Sequence, residues 1–298
     1  MYYVAGNTQD EIARKLGVSR QSAQRLVSLA VSEKLISIRI DHPIARCLEL
    51  AEQVRDAFGL ASCEVVPSDP AAPEATFGLA QAGAAALERY LSSSEPQVVA
   101  LGTGRALRAC VDHIPLMDCS HHKIVSLLGN MMPDGSATAF NVVIRLADRV
   151  GAQHYPMPLP VLARSPEELD VLLSQEPVRN ILSLCETAQV TFVGIGGAHL
   201  GAPLVADGVV TAAEMQSLIA AGAVGEITSW VFDKSGQLID HPINARVASA
   251  PLSKGAATPV IAIAAGDAKV AAIQGALAGR LVTGLITNEL TAERLLEG

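Results

Sequence analysis

The segment VVALGTGRAL places small and basic residues where a negatively charged ligand could bind. A strand-like stretch runs into Gly102, Thr103, Gly104 and Arg105, and a helical pattern follows. Backbone N–H groups at the N-terminus of a helix attract anions, and glycines let an anion approach them closely. The spacing therefore indicates an anion-binding loop at residues 102–105.

A second glycine group lies in the segment VTFVGIGGAHLG. Gly194, Gly196 and Gly197 follow another strand-like stretch. Neither glycine segment completes a P-loop, because no Gly-Lys-Ser/Thr follows, and neither completes the six-residue dinucleotide fingerprint. Each segment alone is equally well explained as a tight turn between a strand and a helix. Two of them in one sheet favour a phosphate or polyhydroxyl ligand.

Two charged residues follow later strand-like stretches. In GAVGEITSWVFDKSGQLID, Glu226 follows a glycine turn and is interpreted as a catalytic carboxylate, a ligand for hydroxyl groups or a solvated turn residue. In IAIAAGDAKVAAI, Lys269 lies on the first turn of the helix after Gly266. A cation there can meet an anionic ligand at the same edge of the sheet. The alternative is an exposed surface lysine.

The same residues could instead belong to an enzyme, an isomerase or deaminase of small phosphosugars, as the alternative to a protein that only binds its ligand. Such chemistry needs a general base near the substrate, usually a carboxylate with a histidine or lysine partner. The sequence has the adjacent pair His121 and His122, but His199 is the histidine that lies beside a glycine loop. One carboxylate without a convincing partner argues against an enzyme, and no His, Asp and Glu cluster has the spacing of a metal site. The sequence therefore predicts no catalysis, metal or cofactor.

Short apolar stretches alternate with helical patterns through most of the chain. The candidate strands are Val98–Leu101 and residues 124–128, 190–195, 260–264 and 281–286. The helical patterns cover residues 74–91, 104–113, 137–150, 166–174, 211–221, 267–278 and 290–296. This alternation predicts an α/β fold with a doubly wound, Rossmann-like parallel sheet. Ligands of such sheets bind at the carboxyl ends of the strands, where the glycine segments, Glu226 and Lys269 are expected.

The segment QDEIARKLGVSRQSAQRLV, near the start of the chain, predicts a different element. Thr8 and Glu11 have the spacing of a capping box at the start of a helix. Gly17 follows that helix, where a turn needs positive φ, and Ser19 caps a second helix. Two short helices joined in this way form a helix-turn-helix. The alternating pattern at residues 36–40 is typical of a strand, the wing of a winged helix.

The second of these helices has a polar face suited to DNA. That face consists of Ser19, Arg20, Gln21, Ser22, Gln24 and Arg25. Arg and Gln side chains hydrogen-bond guanine and adenine edges in the major groove, and the start of the helix is the part that enters it. The alternative is a helical hairpin that packs on the rest of the chain. A winged helix has one more helix before this pair, so either that helix is very short, within residues 1–6, or the chain start is truncated.

Charge is distributed unevenly along the 298 residues. The net charge is −8, whereas residues 1–41 hold six basic and four acidic residues. Neutralising the phosphates of DNA requires local positive charge, so a basic N-terminal segment followed by an acidic remainder suits a DNA-binding module. No apolar run reaches the roughly 18 residues of a membrane span, the N-terminus lacks a signal-peptide layout, and the five cysteines are scattered. A cytoplasmic protein with free thiols is expected.

The order of these segments resembles the SorC (sorbitol operon regulator) family of sugar-responsive bacterial transcriptional regulators. The resemblance is carried by the helix-turn-helix, LGTGRAL, SLLGNM, FNVVIRLADRVGA, GIGGA, GAVGEI with FDKSGQLID, and VIAIAAGDAKVAAIQGAL with VTGLITNELTAERLL. It covers practically the whole chain. It implies a winged helix-turn-helix in residues 1–42, a linker helix in residues 43–58 and an effector domain in residues 59–298. That domain would be related to glucosamine-6-phosphate deaminase and ribose-5-phosphate isomerase.

The resemblance also implies roles for single residues. The effector-binding residues would be Gly102, Thr103, Gly104 and Arg105 in the first loop, Gly194, Gly196 and Gly197 on the opposite wall, Glu226 for hydroxyl groups, Lys269 for a phosphate or terminal hydroxyl, and the weaker candidates Asn130 and Asn141. The implied partners are operator DNA and a sugar, sugar phosphate or polyol that changes DNA affinity, in a homo-oligomer (dimer or tetramer). Arg105 and Ala106 stand where many relatives have hydroxyl or aromatic residues, so the motifs do not identify the effector.

Overall fold

The computed structural model describes residues 7–32, 45–68, 77–132, 134–138, 140–252 and 254–297. The chain divides into two compact units, Met1–Pro43 and Ile44–Gly298. The predicted wing at residues 36–40 lies outside the described residues, as do residues 1–6. None of the helices in the described ranges combines the length and the hydropathy that a membrane crossing requires.

The first unit contains two helices, α1 (Gln9–Leu16) and α2 (Arg20–Ser32). The predicted capping box is present: Thr8 Oγ1 accepts a hydrogen bond from the Glu11 N–H at 3.3 Å, and Glu11 Oε2 accepts one from the Thr8 N–H at 2.7 Å. Gly17 ends α1 with a φ of 65°, which residues with a Cβ rarely adopt. The pair of helices predicted from the sequence is confirmed.

A small apolar cluster holds α1 and α2 together. Ile12, Ala13 and Ala23 are buried in it, and Val27 packs against them. Burial of these side chains leaves the polar side of α2 to face outward, because apolar and polar positions of an amphipathic helix lie on opposite faces.

The second unit holds the strands and the remaining helices of the described residues. Its strands are β1 (Ser62–Val66), β2 (Val98–Leu101), β3 (Lys123–Met131), β4 (Gln153–Pro160), β5 (Val190–Val193), β6 (Gly196–Gly197), β7 (Ala223–Ile227), β8 (Trp230–Asp233), β9 (Val260–Ile263) and β10 (Gly284–Asn288). Its α-helices are α3 (Ala45–Phe58), α4 (Phe77–Leu91), α5 (Arg105–His113), α6 (Val142–Val150), α7 (Pro166–Leu173), α8 (Glu176–Glu186), α9 (Pro203–Ala206), α10 (Ala212–Ala220), α11 (Val270–Ala278) and α12 (Glu289–Leu296). Asn244–Arg246 and Asp267–Lys269 form 3-10 turns.

Seven strands form one parallel sheet in the order β1-β10-β9-β5-β2-β3-β4. Alternate side chains of a strand enter different cores. Val99 and Leu101 of β2 pack with α4, α5 and α6 on one face, whereas Ala100 belongs to the core with α3, α8, α11 and α12 on the other. The predicted α/β fold, with helices on both faces of a parallel sheet, is confirmed.

The sequence pattern predicts five of these seven strands and misses β1 and β4. Both missed strands are at the edges of the sheet, where burial is incomplete. β4 contains Pro156, Pro158 and Pro160, and proline is tolerated mainly in edge strands because it donates no N–H to the ladder. The pattern also misses α8 and α9. Helix α6 begins at Val142 rather than at residue 137, because Ala137 bridges to Met131 of β3.

The direction of the connections changes between β2 and β5. From β2 the chain proceeds to β3 and β4 on one side, and from β5 it proceeds to β9 and β10 on the other. β2 and β5 are direct neighbours, and just beyond them the Gly102 N–H donates to the carbonyl of Phe192 at 2.8 Å. Open α/β sheets bind ligands at the carboxyl ends of strands at such a switch point. The two glycine segments follow these two strands.

Glu226 does not lie at the carboxyl end of a parallel strand, and the prediction that placed it there is wrong. Strands β6, β7 and β8 form a separate antiparallel sheet, in which Glu226 pairs with Gly196 of β6 and Val231 of β8. Gly225, read from the sequence as part of a turn, is itself in β7. The buried Asn244 side chain accepts a hydrogen bond from the Val231 N–H at 2.9 Å and donates to the Val231 carbonyl at 2.7 Å. It thereby continues the pairing at the outer side of β8.

Helix α3, predicted from the sequence to be a linker helix, packs within the second unit. Its buried residues are Cys47, Leu50, Ala51 and Val54. Arg46 Nη2 lies 2.9 Å from Glu293 Oε1 on α12. The apolar face of α3 therefore contributes to the core beneath the sheet, while Leu48 remains 53% exposed.

His122 joins the amino ends of β2 and β3. Its side chain is fully buried, its Nδ1 accepts a hydrogen bond from the Gln97 N–H at 3.1 Å, and its Nε2 lies 3.1 Å from the Leu91 carbonyl oxygen. Both contacts are satisfied by the neutral imidazole with its proton on Nε2. Burial lowers the pKa of His122 below its ordinary value of 6.5, against the opposing effect of the hydrogen bond to Leu91.

We expect the free energy of unfolding to decrease as the pH falls below 6.5, the ordinary pKa of His122. In that range the unfolded chain protonates His122 and the folded protein resists protonation, so the unfolded state binds more protons. The contribution of His122 is complete above the ordinary pKa and is lost progressively towards the lowered one. Urea unfolding at about pH 7.5 and about pH 5.5 measures the difference. The difference in the free energy of unfolding between the two pH values should be smaller in His122→Gln than in wild type. It should persist in the control His154→Gln, since His154 is exposed. An unchanged difference in His122→Gln would contradict the role of His122 in the pH dependence.

Candidate functional site

A cavity of about 610 Å³ opens where β2 and β5 end. Eight of the predicted ligand residues line it: Thr103, Gly104, Arg105, Gly194, Gly196, Gly197, Glu226 and Lys269. The other three, Gly102, Asn130 and Asn141, line an adjoining pocket of about 30 Å³. The pocket and the cavity share Thr103, Leu128 and Thr138. The fold therefore brings all the predicted ligand residues to one region of the second unit.

Residues 102–105 join β2 to α5 and place the N-terminus of that helix at the cavity. Gly104 is the N-cap residue, with a φ of 122°, and as a glycine it provides no side chain to cap the helix. A Cβ on Gly102 would lie 3.3 Å from Thr228 Cγ2, so a larger residue would crowd the loop. The N–H groups of the first turn carry the positive end of the helix dipole, and Arg105 adds a charge on the same wall. This arrangement suits an anion.

The second glycine segment makes room for neighbouring groups and does not begin a helix. Gly196 and Gly197 form β6 and pair with β7. A Cβ on Gly196 would overlap the carboxyl group of Glu226, and one on Gly197 would lie 2.8 Å from the carbonyl oxygen of Ala268. The glycines therefore allow the β7 carboxylate and the turn before α11 to approach each other on one wall of the cavity.

Glu226 is held in place from two sides. Its Oε2 accepts a hydrogen bond from the Ser229 N–H at 2.8 Å, and its carboxyl group lies against the backbone of Gly196. The pKa of Glu226 is raised, because the effect of burial exceeds the opposing effects of the hydrogen bond from Ser229 and the positive charge of Lys269. A carboxylate fixed in this way can accept hydrogen bonds from the hydroxyl groups of a ligand.

Lys269 provides positive charge beside this carboxylate. It ends the 3-10 turn Asp267–Lys269 and is the N-cap residue of α11. Its side chain is half-buried on the cavity wall, and its charge acts on Glu226. An ammonium group in this position can bind a phosphate or another anionic group as a point charge.

The cavity wall also contains a strained turn that the sequence does not indicate. Thr228 and Ser229 join β7 to β8 with φ values of 50° and 71°, and both are buried. A two-residue turn with both φ values positive normally contains Asn-Gly or a similar pair, so the sequence Thr-Ser gives no signal for it. The hydroxyl group of Thr228 is buried and has no hydrogen-bond partner among the described residues. The turn directs the Ser229 N–H to Glu226, at the cost of a positive φ at a β-branched residue.

We expect Thr228→Val to leave the stability of the unliganded protein unchanged or to raise it by up to about 1 kcal/mol. Valine has the shape of threonine and removes a buried hydroxyl group whose desolvation is uncompensated. Thr291→Val is the matched control, because the Thr291 Oγ1 accepts a hydrogen bond from the Gly266 N–H at 2.9 Å, and its loss should cost about 1 kcal/mol. Urea unfolding of both variants checks this; a clear loss of stability in Thr228→Val would show that its hydroxyl group is satisfied.

Several other cavity residues lie in segments without a periodic pattern. They include Asp134, Ser136, His199 and Asp207, and Thr138, near the start of the helical pattern at residues 137–150, also lines the cavity. Together with Arg105, Lys269 and Glu226 they give the wall both signs of charge and several hydroxyl groups, which suits a ligand with hydroxyl and anionic groups. Within the described ranges, no group of three or more His, Cys, Asp or Glu side chains is arranged to hold a metal ion.

The predicted DNA-contacting residues lie in the first unit. Ser19, Arg20, Gln21, Ser22, Gln24 and Arg25 are all exposed. Arg20 Nε lies 3.4 Å from Asp10 Oδ1, with side chains 70% and 61% exposed. Such exposed ion pairs contribute little stability, so Arg20 can exchange Asp10 for an acceptor on DNA. The geometry leaves the amino end of α2 accessible to a partner.

Comparisons with known proteins match the whole chain. The family model described as "Putative sugar-binding domain" (Sugar-bind) matches residues 42–297. The erythritol catabolism regulatory protein EryD of Brucella abortus (strain 2308) is 32% identical over 296 residues, 99% of this chain and 94% of EryD. The sorbitol operon regulator of Klebsiella pneumoniae is 30% identical over 309 residues, 100% of this chain and 95% of that protein.

A solved structure agrees with these matches. The crystal structure of the full-length sorbitol operon regulator SorC from Klebsiella pneumoniae has a TM-score of 0.80 to this protein at 28% identity, and the match covers 99% of this chain and 95% of that chain. The family model spans the second unit, and EryD and SorC match the first unit as well. The chain therefore belongs to the Sugar-bind domain family and is, along its whole length, a member of the SorC family of transcriptional regulators.

Proposed function

We propose that this regulator binds operator DNA through α2 and that a sugar, sugar phosphate or polyol in the cavity controls its DNA affinity. One observation carries the choice of site: the N-terminus of α5, Glu226 and Lys269 meet in one cavity at the switch point of the sheet. These groups supply N–H donors, a carboxylate acceptor and a cation, which a ligand with hydroxyl and phosphate groups requires. The volume of about 610 Å³ is that of a small-molecule site.

The relatives support a polyol or its phosphate as the effector. EryD is named for erythritol catabolism and SorC for the sorbitol operon, and both compounds are linear polyols. Control of DNA binding requires the effector to bind the DNA-competent and DNA-incompetent arrangements with unequal affinity. We also propose that the protein does not convert its ligand, because a sensor needs only to bind and release it.

A thermal-shift screen tests the effector site. The panel consists of erythritol, ribitol, sorbitol and their monophosphates, and a specific ligand raises the melting temperature by mass action. The compound that stabilises most is then titrated into protein bound to a DNA fragment selected from a random library. The expected result is a change in DNA affinity without conversion of the compound. Turnover of a phosphosugar would support the isomerase or deaminase reading instead, and stabilisation without any change in DNA affinity would contradict the regulatory proposal.

We expect a homo-oligomer, at least a dimer and by resemblance a tetramer. One reading helix covers half of an operator, and two-fold pairs read two half-sites about one turn of DNA apart. The proposed contacts are the outer side of α3, where Leu48 is exposed, and apolar helices of the second unit. Light scattering at micromolar concentration measures the mass. A monomer under these conditions would contradict the prediction.

A further inference from the structure

The small pocket beside the main cavity differs from it in the side chains that line its wall. Its wall includes Gly102, Thr103, Ser126, Asn130, Thr138 and Asn141. A volume of about 30 Å³ accommodates one water-sized group. The polar side chains of the wall are neutral, whereas the larger cavity carries charged groups. The pocket is therefore suited to an uncharged hydroxyl group.

Asn141 has an unusual conformation for its position. It precedes α6 as the N-cap residue with φ 43° and ψ 41°, in the left-handed region, and its side chain makes no capping hydrogen bond. An N-cap asparagine ordinarily has an extended backbone, and its side-chain oxygen accepts an N–H of the first turn. Asn141 forgoes that hydrogen bond and instead adopts the left-handed backbone conformation, which is uncommon outside glycine, although asparagine adopts it more readily than most residues. A capping role does not explain the residue.

Neighbouring contacts hold Asn141 in this conformation. Arg108 Nη1 donates to the carbonyl of Phe140 at 2.9 Å, and the Arg145 N–H donates to the carbonyl of Asn141 at 3.0 Å. Asp112 lies 3.4 Å from Arg108 and 3.0 Å from Arg145 and so connects the two arginines. Strained backbone that is held by its surroundings in this way is typical of ligand sites.

Asn130 brings a second carboxamide to the same pocket. It lies near the end of β3, and its carbonyl accepts a hydrogen bond from the Thr138 N–H at 2.8 Å, which fixes its backbone. Ser126 Oγ donates to the carbonyl of Leu128 at 2.9 Å and is thus engaged within the protein. No hydrogen bond joins the side-chain amide of Asn130 or Asn141 to another described residue. Of the polar side chains of the pocket wall, these two amides and the hydroxyl groups of Thr103 and Thr138 remain to bind a ligand.

We propose that Asn130 and Asn141 bind the terminal –CH₂OH group of a linear polyhydroxyl effector, and this inference rests on the proposed function. A carboxamide both donates and accepts, so a hydroxyl group can pair with both of its functions, whereas an ionised phosphate or carboxylate would leave the amide oxygen without a donor. Because the pocket and the cavity share Thr103 and Thr138, one extended ligand can reach both. The main cavity then binds the remaining carbons and hydroxyl groups of the ligand. The site selects a linear polyol with a free primary alcohol, or its monophosphate with the phosphate at the other end.

Asn141→Gly tests the pocket against a structural role. Glycine adopts the left-handed conformation without strain, so the unliganded variant should melt at the same or a higher temperature. Binding of the polyol or monophosphate that stabilises wild type most should weaken about tenfold, the effect of losing about 1.4 kcal/mol. Asn130→Ala should weaken the binding of the same compound to a similar extent. The matched control is Arg280→Gly, which replaces a residue with a φ of 53° outside both pocket walls and should bind as wild type does.

The terminally deoxygenated analogue of the same compound, with –CH₃ in place of –CH₂OH, identifies the group that is bound. It should bind wild type about tenfold more weakly than the parent compound, and the parent and the analogue should bind Asn141→Gly equally. Wild-type affinity in both asparagine variants would overturn the inference and leave the proposed function intact, provided that Lys269→Ala still weakens binding. A lower melting temperature of unliganded Asn141→Gly would assign Asn141 a structural role and also overturn it. Absence of binding by every panel compound to wild type would contradict the proposed function and this inference together.

Discussion

Replacing Lys269 with alanine is expected to weaken effector binding by about 1.5–3 kcal/mol, the range for loss of a charge-assisted hydrogen bond. This corresponds to roughly 10- to 150-fold in Kd. The half-buried Lys269 lies on the cavity wall and acts on the carboxyl group of Glu226, so its charge belongs to the proposed site. Operator affinity without effector should stay nearly unchanged, because Lys269 belongs to the second unit. The measurement is a titration of operator binding against the selected polyol or phosphate.

Two further variants separate the charge of Lys269 from its bulk. Lys269→Met keeps most of the side-chain length without the charge and should weaken binding as alanine does. Lys234→Ala removes an exposed lysine that does not line the cavity and should leave the effector midpoint unchanged. Glu226→Gln keeps the shape and removes the carboxylate, so it should also raise the midpoint. Wild-type midpoints in both Lys269→Ala and Glu226→Gln would show that the effector binds elsewhere.

Replacing Arg20 or Gln21 with alanine is expected to cost about 1–3 kcal/mol on the operator and less on random DNA. Both residues are exposed at the amino end of α2, the part of a recognition helix that enters the major groove. The ion pair between Arg20 and Asp10 is exposed, so breaking it should be a small part of the cost of DNA binding. Fluorescence anisotropy with labelled operator and random DNA measures both affinities.

The salt dependence of binding distinguishes contacts to bases from contacts to phosphates. An arginine that binds a phosphate releases counterions, and its loss weakens binding to all sequences and lowers the salt slope by about one. Loss of a base contact instead lowers the preference for the operator. Arg164→Ala is the control, because Arg164 is exposed in the second unit. Equal losses on operator and random DNA would contradict a base-reading role for Arg20 and Gln21.

Elements with local signals are predicted well from this sequence. The capping box of Thr8 and Glu11, the glycine that ends α1 and the five central strands are confirmed. Each depends on residues within a few positions of one another or on a run of buried apolar residues. The edge strands β1 and β4 are missed because one side of an edge strand is unpaired, and its residues need not be apolar. The prolines of β4 also obscure its pattern.

The sequence by itself determined that a helix-turn-helix precedes an α/β sheet, which family the chain belongs to and which residue types form the candidate site. Only the tertiary structure decided that Glu226 belongs to an antiparallel sheet, that Gly196 makes room for its carboxyl group, and that Thr228 and Ser229 turn sharply beside it. Only the fold separated Asn130 and Asn141 into a neutral pocket apart from the charged cavity. The physical reason is that periodicity and capping act over a few residues, whereas a site depends on contacts between residues far apart in the chain. Such contacts are set by strand order and packing, which leave no local pattern in the sequence.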